Sequence, residues 1–215
     1  MPHIDLSIGH GNPRNSEGAF LKLGENEIVF AYTAFQGEHA RDYTSANINI
    51  IRSFNGGITW SEPITIVHAD SFQAMNVMSV SLLHMLNGDI GLFYLVRMDW
   101  QNMYIVLQRS SDQGKTWSAP IRCSTRTGYY VMNNDRATRL TSGRIILPAA
   151  EHKNRYDDAG QLIFVPAIAT FFFSDDDGAT WEEAQDALSL DFRVCRSGLQ
   201  LSELKYYRNF FLKTL

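Results

Sequence analysis

Several short stretches of this chain gather residue types that could do chemistry together. Arg14, Asn15 and Glu17 lie in "NPRNSEGAF", and Glu38, His39, Arg41 and Asp42 follow in "GEHARDY". Further on come Gln73 and Asn76, then Arg97 and Asp99, then Asn133, Asn134, Asp135 and Arg136 in "MNNDRAT", then Glu151 and His152, and finally Arg196 and Gln200. An arginine presents a planar fork that grips a carboxylate with two parallel hydrogen bonds. A carboxylic acid held partly out of water can hand its proton to a departing oxygen. These types together suit a polar ligand. Each also has an ordinary role open to it: Arg14 can pair with Glu17, Asp42 can cap a turn, and Asp135 can bridge to Arg136.

What would bring such scattered stretches together is a repeat. The frame Ser-x-(Asp/Asn)-x-Gly-x-Thr-Trp occurs as "SFNGGITW" (Ser53–Trp60), "SSDQGKTW" (Ser110–Trp117) and "SDDDGATW" (Ser174–Trp181), with tryptophans 57 and then 64 residues apart. Ahead of each copy, two apolar runs flank a glycine turn at Gly24, Gly88 or Gly143, which is a hairpin signal. A third run leads into each phrase, as "NINIIRS", "MYIVLQRS" and "AIATFFFS", and "ITIVH" or the weaker "IRCS" follows the first two. Four antiparallel strands per repeat at this spacing predict an all-β propeller built of four-stranded blades. The expected blades span 14–70, 71–126 and 127–192, with the start of a fourth at 193–215, in one domain over 1–215.

The phrase itself has a local logic. The Asn55, Asp112 or Asp176 side chain can accept hydrogen bonds from its own turn, and Gly57, Gly114 or Gly178 can take a positive φ. The tryptophan ring then buries between strands, stapling the third strand to the fourth. Strand direction puts these turns at one end of each blade. The first-strand starts and the loops between second and third strands lie at the opposite end, so the polar stretches above should share one mouth.

Three copies in register are similar to the Asp-box, or bacterial neuraminidase repeat. The chain therefore resembles the sialidase-like family of Asp-box propellers up to about Gln200. The resemblance implies six blades, of which about three and a half are present, and a glycoside hydrolase that cleaves terminal sialic acid or a related acidic sugar. It implies that Arg14 binds the substrate carboxylate and that Asp42 is the acid/base. Glu17, Arg97, Asp135, Arg136 and His152 are then expected to contact substrate. "PRNSEG" departs from the family's wording around that arginine. The family's tyrosine nucleophile, its activating glutamate and two further arginines come from later blades, and Tyr206 and Tyr207 do not stand in their place. The expectation is an N-terminal half without a full catalytic set; the alternatives are a carbohydrate-binding propeller without hydrolysis and an inactive fragment.

Composition bounds the partners. A hydrophobic share of 45% against 20% charged is that of a globular chain, and a net charge of -4 without a basic run argues against nucleic acid. No apolar run reaches the roughly 18 residues needed to span a bilayer, so no membrane partner is expected. No secretory pattern opens the sequence, which as written reads as cytoplasmic, or as secreted or periplasmic if the N-terminus is incomplete. Cys123 and Cys195 read as separate thiols, and no histidine spacing suits a metal. The glycines of "IGHGNP" lack the rest of a dinucleotide loop, so no cofactor is expected. A propeller stopped halfway would leave an open edge through which copies could associate.

Overall fold

The structure is a computed structural model in which residues 4–185 and 188–189 are described. Strands β1 (Gly11–Lys22), β2 (Ile28–Gly37), β3 (Ala46–Ser53) and β4 (Ile64–Val67) form one antiparallel sheet in chain order. A 3-10 turn over Ala69–Phe72 leads to the second repeat: β5 (Asn76–His84), β6 (Ile90–Arg97), β7 (Met103–Ser110) and β8 (Ile121–Arg122), again antiparallel in order. In the third repeat the outer members are broken. Both β9 (Tyr129–Val131) and β10 (Thr138–Arg139) pair with β11 (Ile145–His152). After a small hairpin of β12 (Arg155–Tyr156) and β13 (Leu162–Ile163), strand β14 (Ile168–Ser174) pairs with β11 and then with β15 (Glu182–Glu183) and β16 (Leu188–Ser189). A parallel bridge between Met103 and Tyr129 joins the second repeat to the third. The all-β expectation holds. The expected start of a fourth unit, with Cys195, Arg196, Gln200, Tyr206 and Tyr207, lies outside the described residues.

Burial shows how the sheets stack. All eight residues of β6 are buried, because one face packs on the first repeat and the other on the third. On one side Val77, Val80, Leu92 and Tyr94 meet Val29, Ala31, Ile48 and Ile50. On the other, Phe93, Leu95, Ile105 and Leu107 meet Tyr130, Ile145, Leu147 and Phe172. Strand β11, in contrast, alternates buried and half-buried positions, as a sheet covered on one face does.

The first strand of every repeat is interrupted at a matching place. Register shifts fall between Asn15 and Gly18 in β1 and between Met78 and Ser81 in β5, and residues 132–137 separate β9 from β10. Gly18 is required there, since a Cβ on it would lie 1.9 Å from the Ala31 carbonyl oxygen. One expectation is corrected here. Arg14, Asn15 and Glu17 do not precede the first strand; β1 begins at Gly11 and carries all three. Pro13 is tolerated because β1 is an edge strand of its sheet.

The three repeated phrases close near-identical turns. Gly57, Gly114 and Gly178 take φ of 90°, 82° and 90°, and their N–H groups donate to the hydroxyls of Ser53, Ser110 and Ser174 at 2.8, 2.6 and 2.8 Å. The Asp112 and Asp176 carboxylates accept from the following threonine through both its hydroxyl and its N–H. Those bonds, led by the threonine hydroxyl, hold both carboxyls below the usual range, Asp176 at about 2. The tryptophans do more than staple their own strands. Trp181 packs edge-on to Phe93 of the second repeat and Trp117 joins the core shared with the first, while Trp60 lies beside Phe20 and packs, with Ile4 and Leu6, on the face of the first sheet turned away from the second repeat. Trp117 and Trp181 therefore fill the side of their sheets that faces the preceding repeat.

Candidate functional site

At the end opposite the repeated turns, loops from all three repeats surround a cavity of about 300 Å³. Asp42 comes from the β2–β3 loop, Arg97 from the end of β6, and His152 from the end of β11. Asn133, Tyr129 and Asn154 join them, over an apolar floor of Met78, Leu95 and Met103. Three of the expected site residues thus converge from three different repeats.

Arg97 organises this mouth. It is only 6% exposed, and its Nη1 donates to the Asp42 backbone oxygen at 2.6 Å. Its guanidinium lies 5.6 Å from the rings of both Trp100 and Tyr129. Asn76 adds a second tie between repeats, donating to the backbone oxygens of Asp42 at 2.8 Å and Thr44 at 3.0 Å. Burial raises the Tyr129 phenol above its ordinary pKa, with Arg97 opposing. Burial lowers His152, which stands edge-on to Tyr129 at 5.9 Å, so near neutral pH its ring is uncharged. Two buried polar atoms in the walls have no protein partner, Arg97 Nε and Asn154 Oδ1. Such groups are costly to leave unpaired, and a polar ligand or water in the cavity can satisfy them.

Arg14 stands just outside. Its guanidinium stacks 3.8 Å above the Phe35 ring, and it donates from Nη1 to the Ala40 backbone oxygen at 3.0 Å and from Nη2 to Asp42 Oδ1 at 2.6 Å. The carboxylate it holds is therefore that of Asp42. Glu17 shares β1, but its side chain is outside the described residues.

Asp135 and Arg136 are placed elsewhere. Both are exposed in the segment that interrupts the third repeat's first strand, and their backbone N–H groups bond Val80 O at 2.9 Å and Ser81 Oγ at 2.9 Å on β5. They anchor that strand; Asn133 is the member of the stretch that reaches the cavity. Glu151 also turns away. It is 5% exposed and is bonded by Lys153 at 2.5 Å and Arg126 at 3.4 Å, and Tyr130 beside it is pushed up to about 12, mainly by burial.

Sequence reasoning missed Tyr129, Asn154 and the rim aromatics. Trp100 lies 5.8 Å from Tyr43 and 6.4 Å from Phe164, one ring from each loop between second and third strands. The available signal was Trp100, the tryptophan outside the repeated phrases. Among the described residues no group of three or more His, Cys, Asp or Glu could hold a metal ion, and no helix is long and apolar enough to cross a membrane.

The BNR repeat-like domain family matches residues 27–206, most of the chain. The chain belongs to this BNR repeat-like domain family. Among solved structures, it is similar to a Hadza microbial sialidase at 16% identity and TM-score 0.63, covering 82% of this chain and 39% of that one. It is similar to a Trypanosoma rangeli sialidase in complex with sialic acid at 15% identity and TM-score 0.59, covering 85% of this chain and 31% of that one. The NanB sialidase from Streptococcus pneumoniae matches at 11% identity and TM-score 0.63, covering 89% and 47%. At these identities the likeness concerns the fold, and this BNR chain spans less than half the length of each of the three. No curated protein sequence matches it.

Proposed function

We propose that this chain forms the first three blades of a six-bladed sialidase-type propeller whose mouth receives an acidic sugar. The observation that carries this reading is the convergence of Asp42, Arg97 and His152 from three repeats on one cavity, with Arg14 one hydrogen bond behind Asp42. The cations of Arg14 and Arg97 suit a sugar carboxylate. Asp42, half in the cavity and half in water, suits the protonation of a departing glycosidic oxygen and, in the reverse sense, the activation of water. Uncharged His152 and the aromatic rim suit the faces of a sugar ring. The nucleophile and the remaining carboxylate-binding arginines fall to later blades by family resemblance.

The test is turnover of 4-methylumbelliferyl N-acetylneuraminic acid by the full-length gene product. The reading predicts activity that Asp42→Asn and Arg14→Ala each reduce at least about hundredfold, the scale of a lost acid/base. Activity that survives both substitutions removes these residues from the reaction. A second reading, binding without hydrolysis, rests on the polar lining of the cavity, where Arg97, Asn133 and Asn154 can contact a sugar whatever the reaction. Glycan-array binding without product release selects it.

A further inference from the structure

Resting on the acidic-sugar reading, we infer that Asp42 is an internal stand-in for the ligand carboxylate, so that binding proceeds as an exchange of one carboxylate for another on Arg14. Arg14 Nη2 holds Asp42 Oδ1 at 2.6 Å while Phe35 and the Ala40 carbonyl fix the rest of the guanidinium. The pair is accessible, with side-chain exposures of 32% for Arg14 and 67% for Asp42. Two carboxylates cannot share that edge without like-charge repulsion at contact distance. An anion arriving from the cavity must displace Asp42 before it can use the fork.

The displacement needs little of the backbone. The Asp42 carbonyl is pinned by Arg97 at 2.6 Å and Asn76 at 2.8 Å, so a change of side-chain rotamer alone moves the carboxylate from Arg14 into the cavity. The ligand's charge thus releases Asp42 to the place where it can act on the bound sugar. A neutral sugar offers Arg14 no replacement anion and leaves the pair closed. Arg14 and Asp42 together determine the requirement for an acidic substrate.

The experiment measures binding of N-acetylneuraminic acid, and of its neutral methyl ester, to the full chain by ligand-observed NMR, which reads millimolar affinities. Asp42→Asn keeps the shape and frees the fork. The expected result is two- to fivefold tighter binding of the acid, the equivalent of an exposed ion pair of about 0.4–1 kcal/mol, with binding of the ester unchanged. Asp42→Ala gives the same sign by a second route. In an Arg14→Gln background the gain disappears; a gain that persists there marks plain charge repulsion and overturns the exchange. Equal or weaker binding by Asp42→Asn, with Arg14→Gln still weakening the acid, also overturns the exchange while leaving the acidic-sugar reading standing. No binding of the acid by the wild type removes both.

Discussion

Replacing Trp181 or Trp60 by alanine separates two explanations of the repeated tryptophan. Both rings donate Nε1–H to the glycine of their own turn at 3.1 Å, so the local hydrogen bond is the same. Their surroundings differ. Trp181 is 9% exposed in the core between the second and third repeats, whereas Trp60 is half-buried on the face of the first sheet turned away from the second repeat, packed by its own sheet and the segment with Ile4 and Leu6. A tryptophan side chain buries about 150–250 Å², which at about 25 cal/mol per Å² sets an upper bound near 4–6 kcal/mol. Aromatic-to-alanine changes in cores cost about 3–5 kcal/mol. Trp181→Ala should therefore cost about 3–5 kcal/mol and Trp60→Ala, with less area to lose, about 1–2 kcal/mol. Urea unfolding followed by far-ultraviolet circular dichroism measures both, with equal m-values required for the comparison. Trp181→Phe, a milder change, keeps the measurement available if the alanine variant does not fold. Equal costs at the two sites would show that the turn, not the packing between repeats, sets the value, and would refute this account of the stack.

Gly18→Ala drives a Cβ into the Ala31 carbonyl oxygen and should cost about 1–3 kcal/mol, whereas Gly9→Ala, with open space around its Cβ, should stay within about 0.5 kcal/mol; thermal denaturation compares them. The turn aspartates predict an acid limb. Because the folded-state pKa of Asp176 is depressed from 3.8 to about 2, and that of Asp112 is also lowered, their contribution is present above about pH 4 and lost as pH falls through about 2. Melting temperatures of Asp112→Asn/Asp176→Asn should therefore fall less steeply than wild type over that window; an identical slope contradicts the assignment.

Features that depend on bonds a few residues apart were legible in the sequence. Ser174, Asp176, Gly178 and Thr180 satisfy one another within a single turn, so their spacing alone announces the turn and its three copies. Strand order followed from apolar runs between such turns. The onset of β1 was hidden because Gly11 and Pro13 read as loop, although an edge strand has no need of the missing N–H. The interruptions at Asn15–Gly18 and after Met132 leave no local period to detect. Asp42, Arg97 and His152 were accessible because strand direction alone sends their loops to one end. Tyr129 and Asn154 were not, since their approach to Arg97 and Trp100 is set by the rotation of one sheet on the next, which no spacing encodes. The placement of Asp135 and Arg136 was hidden for the same reason: the third repeat's first strand breaks around them, and their backbone N–H groups bond β5.

The claim underneath all of this is that the polar loops of three repeats meet in one cavity at the end away from the repeated turns. Titrating the isotopically labelled full chain with N-acetylneuraminic acid, and following backbone amide shifts, addresses it most directly. The account predicts shifts concentrated in residues 40–44, 97–102, 129–133 and 152–154. Largest shifts within 53–60, 110–117 or 174–181 would contradict it.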